Sequence, residues 1–466
     1  MRYPVDPDQL LEAQEWNTVT RLDGEDPNRV DLAQAIDQNI EAQKDHRWRK
    51  TYGGEDDPDW SDNPCTLGLY WCHGEIKPSH FIGAVHLPFG EVSYPLFVRP
   101  REPLQEVDYA AMFAAVLAAP VSVTGMELPR LFGCDPDAAA IEAHRLPQLT
   151  LLEVIAFLAT AARFVQRHLR QGFVSRTENL TGRVKGQVLL AAQIRTNLVR
   201  ARADRVVCRY QEFNLNTLEN RLLKAALEVC ARWLSSPANG HAALPEVQHW
   251  VWTIRSALAS VPDYRPQRGD WSLVRETGLM AAYASPLALA RLVLTRLHLR
   301  ASGKSAESGR TLPFFLDANR LFEGWVGVCL SRLPGNPSVR GQMTFTLPGP
   351  PFRNKDYEFR PDFVVDERIV VDSKYKITPE GNPRVDQSDL YQVVGYARFC
   401  AKPPGEPGLQ EACIAVPGDP MPHWQEMLDA FAASWNHRYQ TGHQWHDGFR
   451  LTMIRVPVLL AVLGHP

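Results

Sequence analysis

The stretch Arg360–Lys376, RPDFVVDERIVVDSKYK, constrains the fold more than any other part of this chain. Two short runs of β-branched and aromatic residues flank Asp366-Glu367-Arg368, the pattern of a β-hairpin. With Phe363–Val365 and Ile369–Val371 as arms, antiparallel pairing sets Val365 opposite Ile369 and Phe363 opposite Val371. The same register brings Asp362 opposite Asp372. Phe363, Val365, Ile369 and Val371 then share an apolar face that belongs against a core. The other face carries Asp362, Val364, Val370, Asp372 and, two residues on, Lys374. A slip of one residue destroys this segregation, so the pattern specifies its own register. The connection favours a left-handed residue, a position that here falls to Glu or Arg instead of Gly.

Directly opposed carboxylates repel. At about 5 Å and an effective dielectric near 20, Coulomb's law gives roughly 3 kcal/mol, and like charges facing each other across a sheet are destabilising. A hard divalent cation removes that penalty, because Mg²⁺ is held by one or two carboxylates together with phosphate and water. The Ser373 backbone carbonyl offers a further oxygen, and Lys374 lies where it polarises an attacking water or steadies a phosphorane. An ion, a positioned water and a nearby cation make up the set that metal-assisted phosphodiester hydrolysis requires. Taken alone, the short pattern P-D, a gap and D-x-K also arises by chance in surface hairpins.

Other positions support the site. In DANRLFEGWVGVCL, Asp317 suits a helix N-cap and Glu323 falls mid-helix, a candidate third carboxylate. Gly324 and Gly327 beside it allow close approach of a strand or ligand. In DLYQVVGYARF, Gln392 and Tyr396 lie four residues apart on one helical face, placed to contact a water or a DNA phosphate.

The rest of the chain reads as α/β and multidomain. Residues 1–62 carry 16 acidic and 7 basic side chains and form an accessory segment with one helix expected from Asn28 to Lys50. A β-rich domain follows over 63–135, with LGLYWCHGEI, HFIGAVHLPFG and YPLFVRPR as strands. The region 136–300 is mainly helical, with apolar stripes over 149–170 and 217–234. Between them, residues 163–209 hold 10 Arg and one Lys against Glu178 and Asp204, a local basic field suited to steering nucleic acid; Arg195, Arg200, Arg202 and Arg205 are candidate DNA contacts. After a small polar linker, 311–466 alternates helices and strands in a mixed α/β unit. The linker contains GKS, but His298 stands where a phosphate-binding loop needs its first Gly. No apolar run approaches the roughly 18 residues that span a bilayer. The N-terminus lacks the apolar stretch of a signal peptide, and the 8 cysteines follow no framework spacing. These features predict reduced thiols, a cytoplasmic location and no membrane partner.

The order Glu323, Pro361-Asp362, Asp372-Ser373-Lys374 and Gln392-x-x-x-Tyr396 resembles the PD-(D/E)xK nuclease superfamily in its RecB-like branch. More specifically, the chain resembles the McrC family, the nuclease subunits of McrBC-type modification-dependent restriction systems. The similar segments are HFIGAVHLPFG with LFVRPR, LTGRVKGQ, VVCRYQEFNLNTLENRLLKAAL, FFLDANRLFEGWV, RPDFVV, VVDSKYK and DLYQVVGYA, spread from about residue 80 to 400. The acidic N-terminal segment matches nothing in that family, and the β-rich region matches more loosely than the rest.

The resemblance implies a nuclease fold over 311–466, a mixed sheet flanked by helices. It implies a DNA endonuclease subunit using Mg²⁺, or Mn²⁺ in its place, in restriction and anti-phage defence. The partner is expected to be an McrB-like AAA+ GTPase hexamer that recognises modified double-stranded DNA; GTP enters only through that partner. In the family the N-terminal half docks into the GTPase ring and stimulates it. Asp362, Asp372 and Lys374 are carried over as catalytic, with Glu323 and Gln392 beside them, and Asp362, Asp372, Glu323 and the Ser373 carbonyl as metal ligands. Two other readings are a non-catalytic stalk that activates an AAA+ motor and a RecB-like DNA repair exonuclease.

Overall fold

A computed structural model describes residues 11–14, 69–72, 75–78, 80–89, 92–101, 104–134, 141–142, 147–235, 244–267, 269–275, 277–301, 310–311, 314–347, 357–378, 382–399, 409–444 and 448–460. The helix expected over Asn28–Lys50 lies outside them. The chain divides into two compact units, Met1–Ile155 with Ala306–Pro466, and Ala156–Ser305.

The first unit is organised by two sheets. One has five strands in the order Leu11–Gln14, Val92–Arg99, Phe81–Phe89, Phe314–Asp317 and Phe132–Cys134. Phe314–Asp317 runs antiparallel to both of its neighbours. The segments read as a β-rich domain (63–135) and a mixed α/β unit (311–466) therefore share this sheet. Asp317 ends its strand and caps the next helix, Ala318–Ser331, accepting from Arg320 N–H at 3.0 Å. The helix bearing Glu323 is thus launched directly from the N-terminal sheet.

The second sheet has six strands in the order Val339–Gly341, Phe363–Val365, Ile369–Ser373, Glu411–Met421, Arg450–Leu459 and His443–Gln444. The expected hairpin register holds, with Phe363 opposite Val371 and Val365 opposite Ile369. Ile369–Ser373, Glu411–Met421 and Arg450–Leu459 run parallel, joined through the helices Gln387–Phe399 and Trp424–Thr441. Both faces of the hairpin are buried, as the near-continuous apolar text of parallel strands requires. Phe363 packs against Gly327 of Ala318–Ser331, where a Cβ would stand 2.7 Å from the ring. Val370, on the opposite face, joins Val393 and Ala397 of Gln387–Phe399 and Ala412, Ile414 and Val416 in one cluster. The sheet is therefore a filling between two helices, one per face. The turn differs from expectation: Asp366 and Glu367 both take positive φ, at 50° and 56°. Asp366 accepts from Ser338 N–H at 2.8 Å, which ties the turn to the neighbouring strand.

The unit Ala156–Ser305 contains a three-stranded antiparallel sheet, with Arg205–Asn214 between Gly172–Thr181 and Gln187–Val188. Helices Leu218–Leu234, Pro245–Ala257 and Ala284–Ala301 follow. Among the described residues one segment, Gly278–Thr295, is long and apolar enough on average to cross a bilayer. Its Tyr283, Leu287, Ala290 and Val293 are buried, and Ala284–Ala301 packs on Leu218–Leu234, the arrangement of a core helix.

Candidate active site

The strand Ile369–Ser373 ends beside the loop entering Phe363–Val365, and this junction gathers the charged residues of the hairpin. Asp372 is 2% exposed. Asp362, Ser373, Lys374 and Glu323 are half-buried and Gln392 is exposed, so the cluster is open on one side. Asp362 Oδ2 accepts from the Ser373 N–H at 2.7 Å and from the Ser373 hydroxyl at 2.6 Å. Lys374 Nζ lies 2.7 Å from Asp372 Oδ2 and donates to Gln392 Oε1 at 2.9 Å. The contact with Asp372 is an ion pair, and Asp372 Oδ2 is otherwise buried without a hydrogen-bond partner. Gln392 Nε2 donates in turn to the Tyr396 hydroxyl at 2.8 Å, so Lys374, Gln392 and Tyr396 form one chain. Glu323 enters from the helix Ala318–Ser331, accepting from Gln342 Nε2, which also reaches Asp362 Oδ1 at 3.5 Å.

Three carboxyl groups so close and so shielded resist ionisation. Burial, and then the Asp362 charge, push Asp372 up to about 7. Burial raises Asp362 too, against the two hydrogen bonds from Ser373. Glu323 is raised well above the usual carboxylate range by burial and by Asp362. Burial works against the Lys374 ammonium, but the charge of the Asp372 carboxylate beside it outweighs that and its pKa rises. The Tyr396 phenol is raised by burial. Against these three acids stand the Lys374 ammonium and, acting on Glu323 and Asp362, the Arg320 charge.

This donor set suits a hard cation. Among the described residues no three His, Cys, Asp or Glu side chains are already gathered at metal-ligand spacing. Mg²⁺, however, needs only one or two carboxylates and completes its shell with water and phosphate. Asp372 Oδ2, buried and paired with the Lys374 ammonium, is an oxygen suited to such a role.

The family model for the McrBC 5-methylcytosine restriction system component matches residues 79–406. The chain belongs to this family. Two solved structures are similar. One is the refined half-complex from a tetradecameric assembly of Thermococcus gammatolerans McrB AAA+ hexamers with bound McrC. It is 16% identical, covering 97% of this chain and 96% of that chain at a TM-score of 0.44. The other is the cryo-EM structure of the Thermococcus gammatolerans McrBC complex, 17% identical, covering 69% and 87% at a TM-score of 0.29. A comparison with curated proteins gave no match.

In this family member the hairpin, Glu323, Gln392 and Tyr396 come together, although they are drawn from one strand pair and two helices. Arg195, Arg200, Arg202 and Arg205 belong instead to the Ala156–Ser305 unit. The first three are exposed; Arg205 is half-buried and lies 3.7 Å from Asp204. Their local frame is set by Asn197, fully buried, which donates to Asn179, to Gln193 and to the Arg205 carbonyl.

Sequence reasoning missed several neighbours of the site. Asp389, 5% exposed, stands 4.0 Å from Lys374 and 2.9 Å from Lys376, which also pairs with Asp386 at 3.1 Å. Its place at the start of Gln387–Phe399 was the available signal. Tyr375, between the two lysines, bonds to the Tyr109 hydroxyl at 3.0 Å, and its carbonyl accepts from Arg101. Gln342 also escaped notice, because nothing around it in the sequence marks chemistry. A cleft of about 390 Å³ lies against Gln342 and Gly125, with Ser122 and Arg360 on its wall.

Proposed function

We propose that this McrBC family member is a Mg²⁺-dependent DNA endonuclease subunit of a modification-dependent restriction system, acting on double-stranded DNA in defence against foreign DNA. The observation that carries this reading is the buried Asp372 carboxylate, met by one lysine ammonium at 2.7 Å and standing beside two further carboxylates. Asp362, Asp372, the Ser373 carbonyl and Glu323 would hold the cation, Mg²⁺ or Mn²⁺. When bound, the ion supplies Lewis-acid stabilisation of charge on the scissile phosphate.

The remaining work falls to the chain itself. Lys374 carries positive charge toward the phosphate and orients the attacking water. Gln392 holds the Lys374 ammonium by accepting its hydrogen bond, and Tyr396 anchors Gln392. The open side at Gln392 and Arg360 admits the strand to be cut. The arginines of the 163–209 segment contribute backbone contacts that carry affinity without sequence information.

The partner we infer is an AAA+ GTPase hexamer of the McrB type, the assembly in which the similar McrC is bound. GTP acts through that partner. The test is cleavage of methylated plasmid by the purified complex with Mg²⁺ and GTP. Asp372→Ala should abolish cleavage while leaving the complex assembled, and unchanged cleavage by that variant would remove the site assignment. A covalently closed substrate separates internal cutting from an exonuclease.

A further inference from the structure

Gln342 lies between two carboxylates that ought to repel. Its amide nitrogen donates to Glu323 Oε1 and approaches Asp362 Oδ1 at 3.5 Å, while its backbone N–H donates to the Asp362 carbonyl at 2.8 Å. The amide NH₂ is a donor with two hydrogens, and the carboxyl oxygens it faces are acceptors. Each of its two hydrogens therefore has an acid to meet, and the side chain bridges the helix Ala318–Ser331 to the entry of the strand Phe363–Val365.

The backbone supports the same conclusion. Gln342 sits at φ 54°, a left-handed conformation uncommon for a residue with a side chain. Such a conformation persists where the surroundings over-determine it, and it concentrates at functional sites. Here the surroundings come from a segment more than two hundred residues earlier. Gly125, at φ 68°, leaves room for the Gln342 side chain; a Cβ there would stand 2.4 Å from Gln342 Cγ. Gly341 likewise presses on Gly125 N and the Val123 carbonyl, each 2.8 Å from where its Cβ would be. The helical turn Val121–Thr124 therefore closes on the strand end and fixes the amide's direction.

We propose that Gln342 is a positioning residue of the carboxylate site: its amide holds Glu323 beside Asp362 in the arrangement that receives a divalent cation, and Gly125 keeps that amide in place. The inference rests on the reading of this site as a metal-dependent nuclease. It adds that the N-terminal turn Val121–Thr124 is part of the site's support.

The test is Mg²⁺ binding to the full-length chain by calorimetry, paired with a Mg²⁺ titration of plasmid cleavage by its complex with the AAA+ partner. Wild type, Gln342→Leu, Gly125→Ala and Asp372→Ala are compared. Groups that orient metal ligands typically change metal affinity or activity by about 10- to 100-fold. Gln342→Leu and Gly125→Ala should therefore weaken Mg²⁺ binding by at least about tenfold and raise the Mg²⁺ needed for half-maximal cleavage in parallel. Cleavage at saturating Mg²⁺ should fall less. Should Leu at 342 prevent folding, Gln342→Asn keeps the amide but withdraws it by one carbon, and is read in the same two assays. Wild-type Mg²⁺ affinity and cleavage in Gln342→Leu, with Asp372→Ala inactive, would overturn the role of Gln342 and leave the nuclease reading standing. A wild-type chain that binds no Mg²⁺ and cuts no better than Asp372→Ala would overturn both.

Discussion

Replacing Asp372 by Asn should make the protein more stable while removing its activity. Asp372 is 2% exposed, and its carboxyl is pushed up to about 7 from an ordinary 3.8. A displacement of that size corresponds to an ionisation cost on the order of 4 kcal/mol well above pH 7. The sign follows from proton linkage. Between about pH 4 and pH 7 the folded chain holds a proton that the unfolded chain has released, so stability falls as pH rises through that window. Below about pH 4 both states are protonated and the cost is absent. Asn keeps the shape and removes the titration, but it also takes away the carboxylate 2.7 Å from Lys374 Nζ. The pull of that ammonium is already contained in the displacement, so the gain for Asp372→Asn is on the order of 3–4 kcal/mol at pH 8 and nothing near pH 4. Urea unfolding followed by tryptophan fluorescence at the two pH values measures this, with the buried Trp325 reporting on the same unit. Mg²⁺ should erase that advantage at pH 8, because a ligand at 1,000 times its Kd adds about 4.1 kcal/mol to the wild type alone. An Asn variant less stable than wild type at pH 8 without metal would refute the argument. It would mean that Asp372 is a net stabilising partner of Lys374, not a strained acid awaiting a cation.

Three further outcomes follow from the packing and the charges. Gly327→Ala should cost about 1–3 kcal/mol in denaturant unfolding, since its Cβ would stand 2.7 Å from Phe363 and 3.0 Å from the Val123 carbonyl. Arg438→Leu should cost about 3–5 kcal/mol, because Arg438 Nε donates to buried Glu411 at 2.8 Å and its loss strands that acid, with only Thr452 left at 2.7 Å. Lys374→Met should lower single-turnover cleavage by about 100-fold or more, with circular dichroism and assembly unchanged.

The hairpin was legible because its signal is local and redundant. Period-two alternation around a short connection admits one register, and Phe363, Val365, Ile369 and Val371 state it twice. The capping of Ala318–Ser331 by Asp317 was legible for the same reason. The close approach read from Gly324 and Gly327 is also present, but what approaches is Val116, Met126 and Phe363. What could not be read is long-range. The strand Phe314–Asp317 pairs with residues near 82 and 133, and no feature of FFLD names those partners. Both faces of the hairpin are covered, although Asp362 and Asp372 made one of them look polar; Val370 is fully buried under Val393 and Ala397. Gln342 acquires its place only when Val339–Gly341 pairs with Phe363–Val365 and the Gly125 turn closes on it. Pairing specificity over such separations resides in assembled surfaces, where the sequence carries no periodic mark.

The convergence of Glu323, Asp362, Asp372 and Lys374 would be hard to account for in a surface hairpin, since burial raises all three acids and the Asp362 charge raises Glu323 and Asp372 further. The most direct test is the cleavage of methylated, covalently closed plasmid by the chain with its AAA+ partner, GTP and Mg²⁺, comparing wild type with Asp372→Ala. We predict linear product from the wild type and none from the variant, with chelation of Mg²⁺ reproducing the variant's result. Equal cleavage by the two proteins would contradict the account.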